Sequence, residues 1–556
     1  VKSLPLPSRH QQDILAELSR PGPHLVVHAT AGAGKTTLLV QAALAQPPGT
    51  RQLFLAFARD AAAELKKRLP AGVETRTVHS LGRFVLAAAL RQRGIRLLPP
   101  RQGKYRDLAL ELLKEQLPAL ATAEAARFLQ ELAGAARLHL LPAADPATLE
   151  QFIAESGLWP PAPPGELRGV FELLPLLLAR GVREAEQGNI DFTDMIYVPV
   201  VNGLAVPAYD LVSVDEAQDY SRLALEFTLA LAEAGARLVF VGDPRQSIFG
   251  FAGADRQALT RTADRLSARV LPLSVTWRCP RRHVELARLL APEIEVAPGA
   301  RGGSVVVIPE ASLPAFARAG DLIICRLNAP LIGLCLKLLA GGHRAFIRGV
   351  DLRERLRQLA ARVFRNGFDT PHERLRSFLS SELRRLEERG FGRDSPVAAR
   401  LADEIRCLGH FLSSPAECAD VETLITLLDA AFSRDGKTIT LSSIHRAKGL
   451  EADRVVLLQP ELLPAPYARS EAALEAEACV QFVALTRARR ELVFTEPEGG
   501  LRPGVSPGVG GEDALAGPPV PAWNAVLGLV LTGRHGRAVG SSPPGGRRGR
   551  TRLFHS

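Results

Sequence analysis

Seven short runs of consecutive apolar residues constrain the fold of this chain more than any other feature: LVVHA (25–29), LFLAF (53–57), LVSV (211–214), LVFVG (238–242), SVVVI (304–308), LIIC (322–325) and RVVLL (454–458). A strand with one face in water alternates apolar and polar residues. An unbroken apolar run of four or five fits a strand buried on both faces, as in a parallel sheet covered by helices. Segments of Ala, Leu, Glu and Arg with helical spacing separate the runs, which predicts an α/β fold. Four runs precede residue 245 and three follow residue 303. The economical reading is two parallel sheets in two lobes, within the several domains that 556 residues allow.

Three stretches break this rhythm. Residues 86–190 and 351–435 show no clear strand pattern and read as helices, with segments such as DLALELLKEQL and RLRSFLSSELRRLEERG. Each is expected to be a helical insertion in one lobe. Residues 1–85 and 191–275 then form the first lobe around 86–190, and residues 276–350 and 436–498 form the second around 351–435. Residues 499–556 are expected to be a flexible tail rich in Gly, Pro and Arg. From residue 500 onward this stretch holds 13 Gly and 7 Pro, with seven Arg against two acidic residues.

The net charge of +10 favours a polyanionic partner, because every neutralised phosphate releases condensed counterions. The six cysteines show no C-x-x-C spacing, which argues against a zinc ribbon or an iron–sulfur cluster and suits a reducing compartment. No run approaches the roughly 18 apolar residues of a membrane span. The first residues, VKSLPLPSRHQQ, contain no apolar signal core. A cytoplasmic location without membrane attachment is the expectation.

The run LVVHA leads into Ala29-Thr30-Ala31-Gly32-Ala33-Gly34-Lys35-Thr36-Thr37 and then a helical LLVQAALA. This is the spacing of the phosphate-cradling loop G-x-x-x-x-G-K-[ST], with Ala29 in place of the first glycine. Gly32 and Gly34 let backbone N–H groups turn onto phosphate oxygens, aided by the helix N-terminus behind them. Lys35 is placed to reach the β- and γ-phosphates of ATP, and the Thr36 hydroxyl to ligate Mg²⁺. LVSV leads into Asp215-Glu216-Ala217-Gln218-Asp219. Carboxylates at the end of a buried strand are costly unless a cation meets them. Asp215 suits Mg²⁺, and Glu216 suits polarising the water that attacks the γ-phosphate, which points to hydrolysis.

Taken in order, the motifs resemble those of superfamily-one DNA helicases of the UvrD/Rep/PcrA type over roughly residues 5–495. SRHQQ (8–12), ATAGAGKTT (29–37), FLAFARDAAAEL (54–65), TVHSLG (77–82), VDEAQD (214–219), VGDPRQSIFGFAGA (241–254), LSVTWRCP (273–280), LSSIHRAKGLEADRVVLL (441–458) and FVALTRARREL (482–492) carry the likeness. The resemblance implies two RecA-like lobes. It implies that Gln11 reads adenine, Trp277 stacks on it, Glu451 meets the ribose and Gln246 senses the γ-phosphate. Arg278 and Arg487 are implied as arginine fingers. Phe57, Phe249 and Phe251 take the places of base-stacking aromatics, with His79, Ser443 and His445 as polar or backbone contacts to DNA.

The chain departs from the family at Ala29, at Arg59-Asp60 where Asn-Lys is more usual, at Phe251 where Trp is more usual, and in its short second insertion. The implied activity is ATP-dependent 3′→5′ translocation and unwinding in replication, repair or recombination. The substrates are single-stranded DNA and tailed duplexes, and protein loading factors are conceivable partners. A DNA-stimulated ATPase that strips proteins from single strands and a non-catalytic nucleic-acid-binding scaffold stand as alternatives. The sequence leaves the oligomeric state open.

Overall fold

A computed structural model of the chain describes residues 7–498 apart from 144, 157, 159–167, 251–252, 256, 415–417, 435 and 437, together with 521–532 and 552–554. The chain divides into two compact units, Val1–Val275 and Thr276–Ser556. Both are α/β, with parallel sheets as their cores.

In the first unit, α1 (Arg9–Leu18) precedes β1 (Leu25–Ala29), α2 (Lys35–Leu44), β2 (Gln52–Ala56), α3 (Arg59–Lys66), β3 (Glu74–Thr77) and α4 (Val78–Gln92). Four helices follow with no strand between them among the described residues: α5 (Lys104–Gln116), α6 (Ala123–His139), α7 (Pro146–Ser156) and α8 (Arg168–Glu186). Then come α9 (Asp194–Val201), β4 (Leu211–Val214), α10 (Arg222–Glu233), β5 (Arg237–Gly242), α11 (Ala258–Leu266) and β6 (Arg269–Leu273). All six strands are parallel, in the order β3-β2-β4-β5-β1-β6. The apolar runs become β1, β2, β4 and β5 in the middle of the sheet, where helices cover both faces. β3 (ETRT) and β6 (RVLPL) lie at the edges, the first half-buried and the second mostly exposed; the polar residues of β3 and the proline that interrupts β6 keep them out of a search for apolar runs.

At the junction, β7 (Val275–Thr276) pairs with β8 (Glu295–Val296), with α12 (Arg281–Ala287) between them in sequence. The second unit continues through β9 (Ser304–Pro309), α13 (Leu313–Phe316), β10 (Leu322–Cys325), α14 (Ala329–Ala340) and β11 (Ala345–Ile347). The helices α15 (Val350–Val363), α16 (Pro371–Glu388), α17 (Pro396–Leu412) and α18 (Val421–Ala431) come next. β12 (Ile439–Ser443), α19 (Ile444–Ala447), β13 (Ala452–Leu457), α20 (Glu471–Leu485), β14 (Ala488–Glu496), α21 (Pro521–Thr532) and β15 (Arg552–Phe554) follow. The strand order is β11-β12-β10-β13-β14-β9-β15, parallel throughout except for β15 against β9.

The expectation of a flexible tail over 499–556 is corrected at residues 521–532. PAWNAVLGLVLT is a twelve-residue apolar island in a Gly/Pro-rich stretch, and it folds as α21. Trp523, Val526, Leu527 and Val530 are buried. The Trp523 indole N–H donates to the Pro460 carbonyl at 3.1 Å, which satisfies the one polar group that burial would otherwise strand. All six cysteines are free thiols. Among the described residues no helix is long and apolar enough to cross a membrane.

Candidate active site

The C-terminal ends of β1, β4 and β5 lie side by side in the first sheet. Loops leaving the carboxyl ends of parallel strands are where α/β folds place ligands. After Ala29 the chain turns through Thr30, Ala31, Gly32, Ala33 and Gly34 before α2 begins at Lys35. Gly32 and Gly34 take positive φ values of 71° and 81°, a region that favours glycine and turns successive N–H groups inward. Thr30, Ala31 and Ala33 are buried, and the Thr30 N–H donates to the Leu273 carbonyl at 3.0 Å, anchoring the loop to β6. Thr37 is half-buried and its hydroxyl accepts from Arg68 at 3.3 Å. Gln11 closes a capping box with Ser8 on α1. A Cβ at Gly34 would stand 3.2 Å from Gln11 Nε2, so the amide expected to read adenine borders the phosphate loop.

Lys35 Nζ pairs with Glu216 Oε2 at 3.1 Å, its side chain only 12% exposed. Burial pulls the ammonium pKa down, but the carboxylates of Glu216, Asp243 and Asp215 more than offset this and raise it above the usual lysine range. Lys35 therefore keeps its charge. The Thr36 hydroxyl donates to Asp215 Oδ2 at 3.0 Å. Burial, and then repulsion from Glu216, pushes the Asp215 carboxyl up to about 6. A divalent cation held by Thr36 and Asp215 would relieve both penalties, so the donor set fits Mg²⁺. Among the described residues no group of three or more His, Cys, Asp or Glu side chains is arranged to hold a metal ion.

Glu216 adopts a left-handed conformation with φ 52°, an uncommon one for a residue with a side chain. Gln218 donates to Glu216 Oε2 at 2.6 Å. Asp243, at the end of β5, accepts from Gln246 Nε2 at 2.6 Å. Thus Lys35, Thr36, Asp215, Glu216 and Gln246, though distant in sequence, meet at one end of the first sheet. Gln218 and Asp243 belong to the same cluster and were not singled out from the sequence. Their residue types are ordinary, and only the packing of two loops reveals their partners.

A second group of side chains forms an aromatic surface in the first unit. Phe57, beyond the end of β2, is 50% exposed, and its ring is parallel to that of Phe249 with centroids 6.5 Å apart. Phe251 lies outside the described residues. His79, in the first turn of α4, stacks on Phe192 at 4.1 Å. Burial, with the nearby Arg59 charge, pushes the His79 imidazole down to about 4, so it is neutral near pH 7. Phe192 is 50% exposed and was missed in sequence; an aromatic between two acids in DFTD was its only signal.

The acids beside Phe192 explain how its loop is held. Asp194 is fully buried and takes Lys104 Nζ at 2.6 Å, the Tyr105 hydroxyl at 3.0 Å and Arg137 at 2.9 Å. Arg137 also forks onto Asp191 at 2.9 and 2.7 Å. Helices α5 and α6 of the insertion are thereby tied to the segment carrying Phe192. Breaking a buried ionic group of this kind typically costs about 3–5 kcal/mol.

In the second unit, Arg278 donates through Nε to Glu451 and reaches the Thr486 carbonyl at 3.5 Å. Glu451 also meets Arg489 at 3.5 Å. Arg487 is buried, donating to the Val483 carbonyl at 3.0 Å and to the Thr486 hydroxyl at 3.1 Å. Both expected fingers thus gather at Thr486, with Glu451 beside them and Trp277 52% exposed next in sequence. Ser443 takes the N-cap position of α19, and His445 within that helix is pushed down to about 3, chiefly by burial, so its imidazole too is neutral near pH 7.

Residues 11–252 match the family described as "AAA domain", and residues 405–498 match "UvrD-like helicase C-terminal domain". The chain is also similar to F-box DNA helicase protein 1 of Schizosaccharomyces pombe, at 25% identity over 522 residues. The alignment covers 87% of this chain but 57% of that relative, so the chain spans little more than half the relative's length.

Proposed function

We propose that the chain, whose matched domains support a UvrD-like superfamily-one helicase, uses ATP hydrolysis to move 3′→5′ along single-stranded DNA and to separate duplexes with a single-stranded tail. The observation that carries this reading is the convergence of Lys35, Thr36, Asp215 and Glu216 at the end of one parallel sheet. Lys35 binds the β- and γ-phosphates in place of its Glu216 partner. Thr36 and Asp215 would hold Mg²⁺, which would supply neutralisation of phosphate charge. Glu216, once released from Lys35, orients the attacking water and accepts its proton. Gln246 reports the presence of the γ-phosphate, and the guanidiniums of Arg278 and Arg487 stabilise charge on the transferring group. Gln11, Trp277 and Glu451 select the nucleoside.

Phe57 and Phe249 offer parallel faces to DNA bases, with Phe192 as a further exposed face. Stacking of this kind tolerates any sequence, because every base has a π-face. His79, Ser443 and His445 add uncharged contacts. The decisive experiment compares unwinding of a 3′-tailed and a 5′-tailed duplex under ATP. Activity confined to the 3′-tailed substrate is expected. Equal activity on both removes the assigned polarity, and single-strand-stimulated hydrolysis without strand separation favours a protein-displacing translocase.

A further inference from the structure

Gln218 sits in the turn Ala217–Asp219, 2% exposed, two residues beyond Glu216. The two ends of its amide have different partners. Nε2 donates to Glu216 Oε2 at 2.6 Å, and Oε1 accepts the Asp243 N–H at 2.9 Å. Its main-chain carbonyl accepts the Ser247 hydroxyl at 3.3 Å. Asp243 Oδ2 accepts from Gln246 Nε2 at 2.6 Å, and Asp243 Oδ1 from the Arg245 N–H at 2.9 Å.

A continuous chain of hydrogen bonds therefore runs Glu216–Gln218–Asp243–Gln246. At one end is the carboxylate that orients water. At the other is the segment 243–247, which leads directly to Phe249 and its parallel partner Phe57. The backbone is cleared for this link: a Cβ on Gly242 would stand 2.6 Å from Gln218 Oε1 and 3.0 Å from the Gln218 backbone nitrogen. Glu216 is also held in a left-handed backbone conformation, a state that persists only where its surroundings fix it. A primary amide suits this place because it donates at one end and accepts at the other without carrying charge.

We propose that Gln218 is a positioning residue that transmits strand binding at Phe57 and Phe249 to the orientation of Glu216, so that it governs stimulation of hydrolysis by single strands and not nucleotide binding. This rests on the ATP-driven motor reading above. A displacement of segment 243–247 moves the Asp243 N–H, and Gln218, packed on all sides, carries that movement to the carboxylate.

The test uses the full chain with Gln218→Glu, which keeps the acceptor for Asp243 but sets a carboxylate against Glu216, and Gln218→Met, which keeps bulk and removes both bonds. Gly242→Ala is a third variant that crowds Oε1 while leaving Gln218 in place. The ratio of oligo(dT)-stimulated to basal ATP turnover is measured with kcat and KM resolved. A fluorescent ATP analogue is titrated with and without oligo(dT). The stimulation ratio is expected to fall at least roughly tenfold, the cost of a misplaced catalytic group. The analogue's affinity should stay within about threefold of wild type, while its response to oligo(dT) disappears. An unchanged ratio in the folded variants overturns the relay alone. A loss of analogue affinity and thermal midpoint in parallel with the ratio reduces Gln218 to a structural group and also overturns it. If the unmodified protein shows no oligo(dT) stimulation, the motor reading fails and the relay falls with it.

Discussion

Lys35 shows how one side chain's environment sets its use. Burial alone favours a neutral amine, but three carboxylates around it keep the ammonium charged, ready for a polyphosphate. We expect Lys35→Ala to lose both turnover and much of the affinity for nucleotide, whereas Glu216→Gln loses turnover and keeps binding. Parallel measurement of phosphate release and equilibrium nucleotide binding checks both, and wild-type hydrolysis in either variant refutes the assignment. At this scale the sequence was informative where chemistry is encoded by local spacing. The loop at 29–37 and the pair Asp215-Glu216 could be placed from neighbours alone. Gln218, Asp243 and Phe192 could not, because their roles come from contacts with segments far away or from exposure in the folded chain.

Elements followed the same division. Seven strands inside the sheets, β1, β2, β4, β5, β9, β10 and β13, are continuous apolar runs and were legible. Edge strands such as β3 and β11 were not, because an edge strand has a ladder partner on one side only and a short or polar sequence is tolerated there. β12 (ITLSS) is internal but carries Ser and Thr, so its burial was invisible to an apolar count. Helix α21 went unrecognised because the composition of the long stretch around it outweighed twelve apolar residues. Its Trp523 is 1% exposed, so Trp523→Ala should destabilise the second unit by about 3–5 kcal/mol, the usual cost of truncating a buried large aromatic. Chemical denaturation followed by circular dichroism measures it, and a change under about 0.5 kcal/mol, the range of an ordinary surface substitution, shows that the helix does not support the fold.

Across the molecule, the residues of the proposed reaction fall in both units. The first holds the phosphate loop, Asp215, Glu216 and Gln246, and the second holds the guanidiniums at Thr486. Arg278 is salt-bridged to Glu451, so removing it strands no buried charge of the hydrolytic cluster in the first unit. Arg278→Ala is therefore expected to fold normally and bind single strands as wild type, while strand-stimulated turnover falls by about 10³-fold, in line with loss of an arginine finger. Steady-state kinetics beside a fluorescence anisotropy titration separates the two effects. Undiminished turnover removes Arg278 from the reaction.

The contact between Lys35 and Glu216 has a consequence for regulation at rest. The prospective proton acceptor is paired with the lysine of the phosphate loop, and a ligand rich in negative charge would compete for that lysine. In the proposed motor, fuel would therefore do more than fill a site: by taking up the lysine it would release a safety catch on the acidic residue.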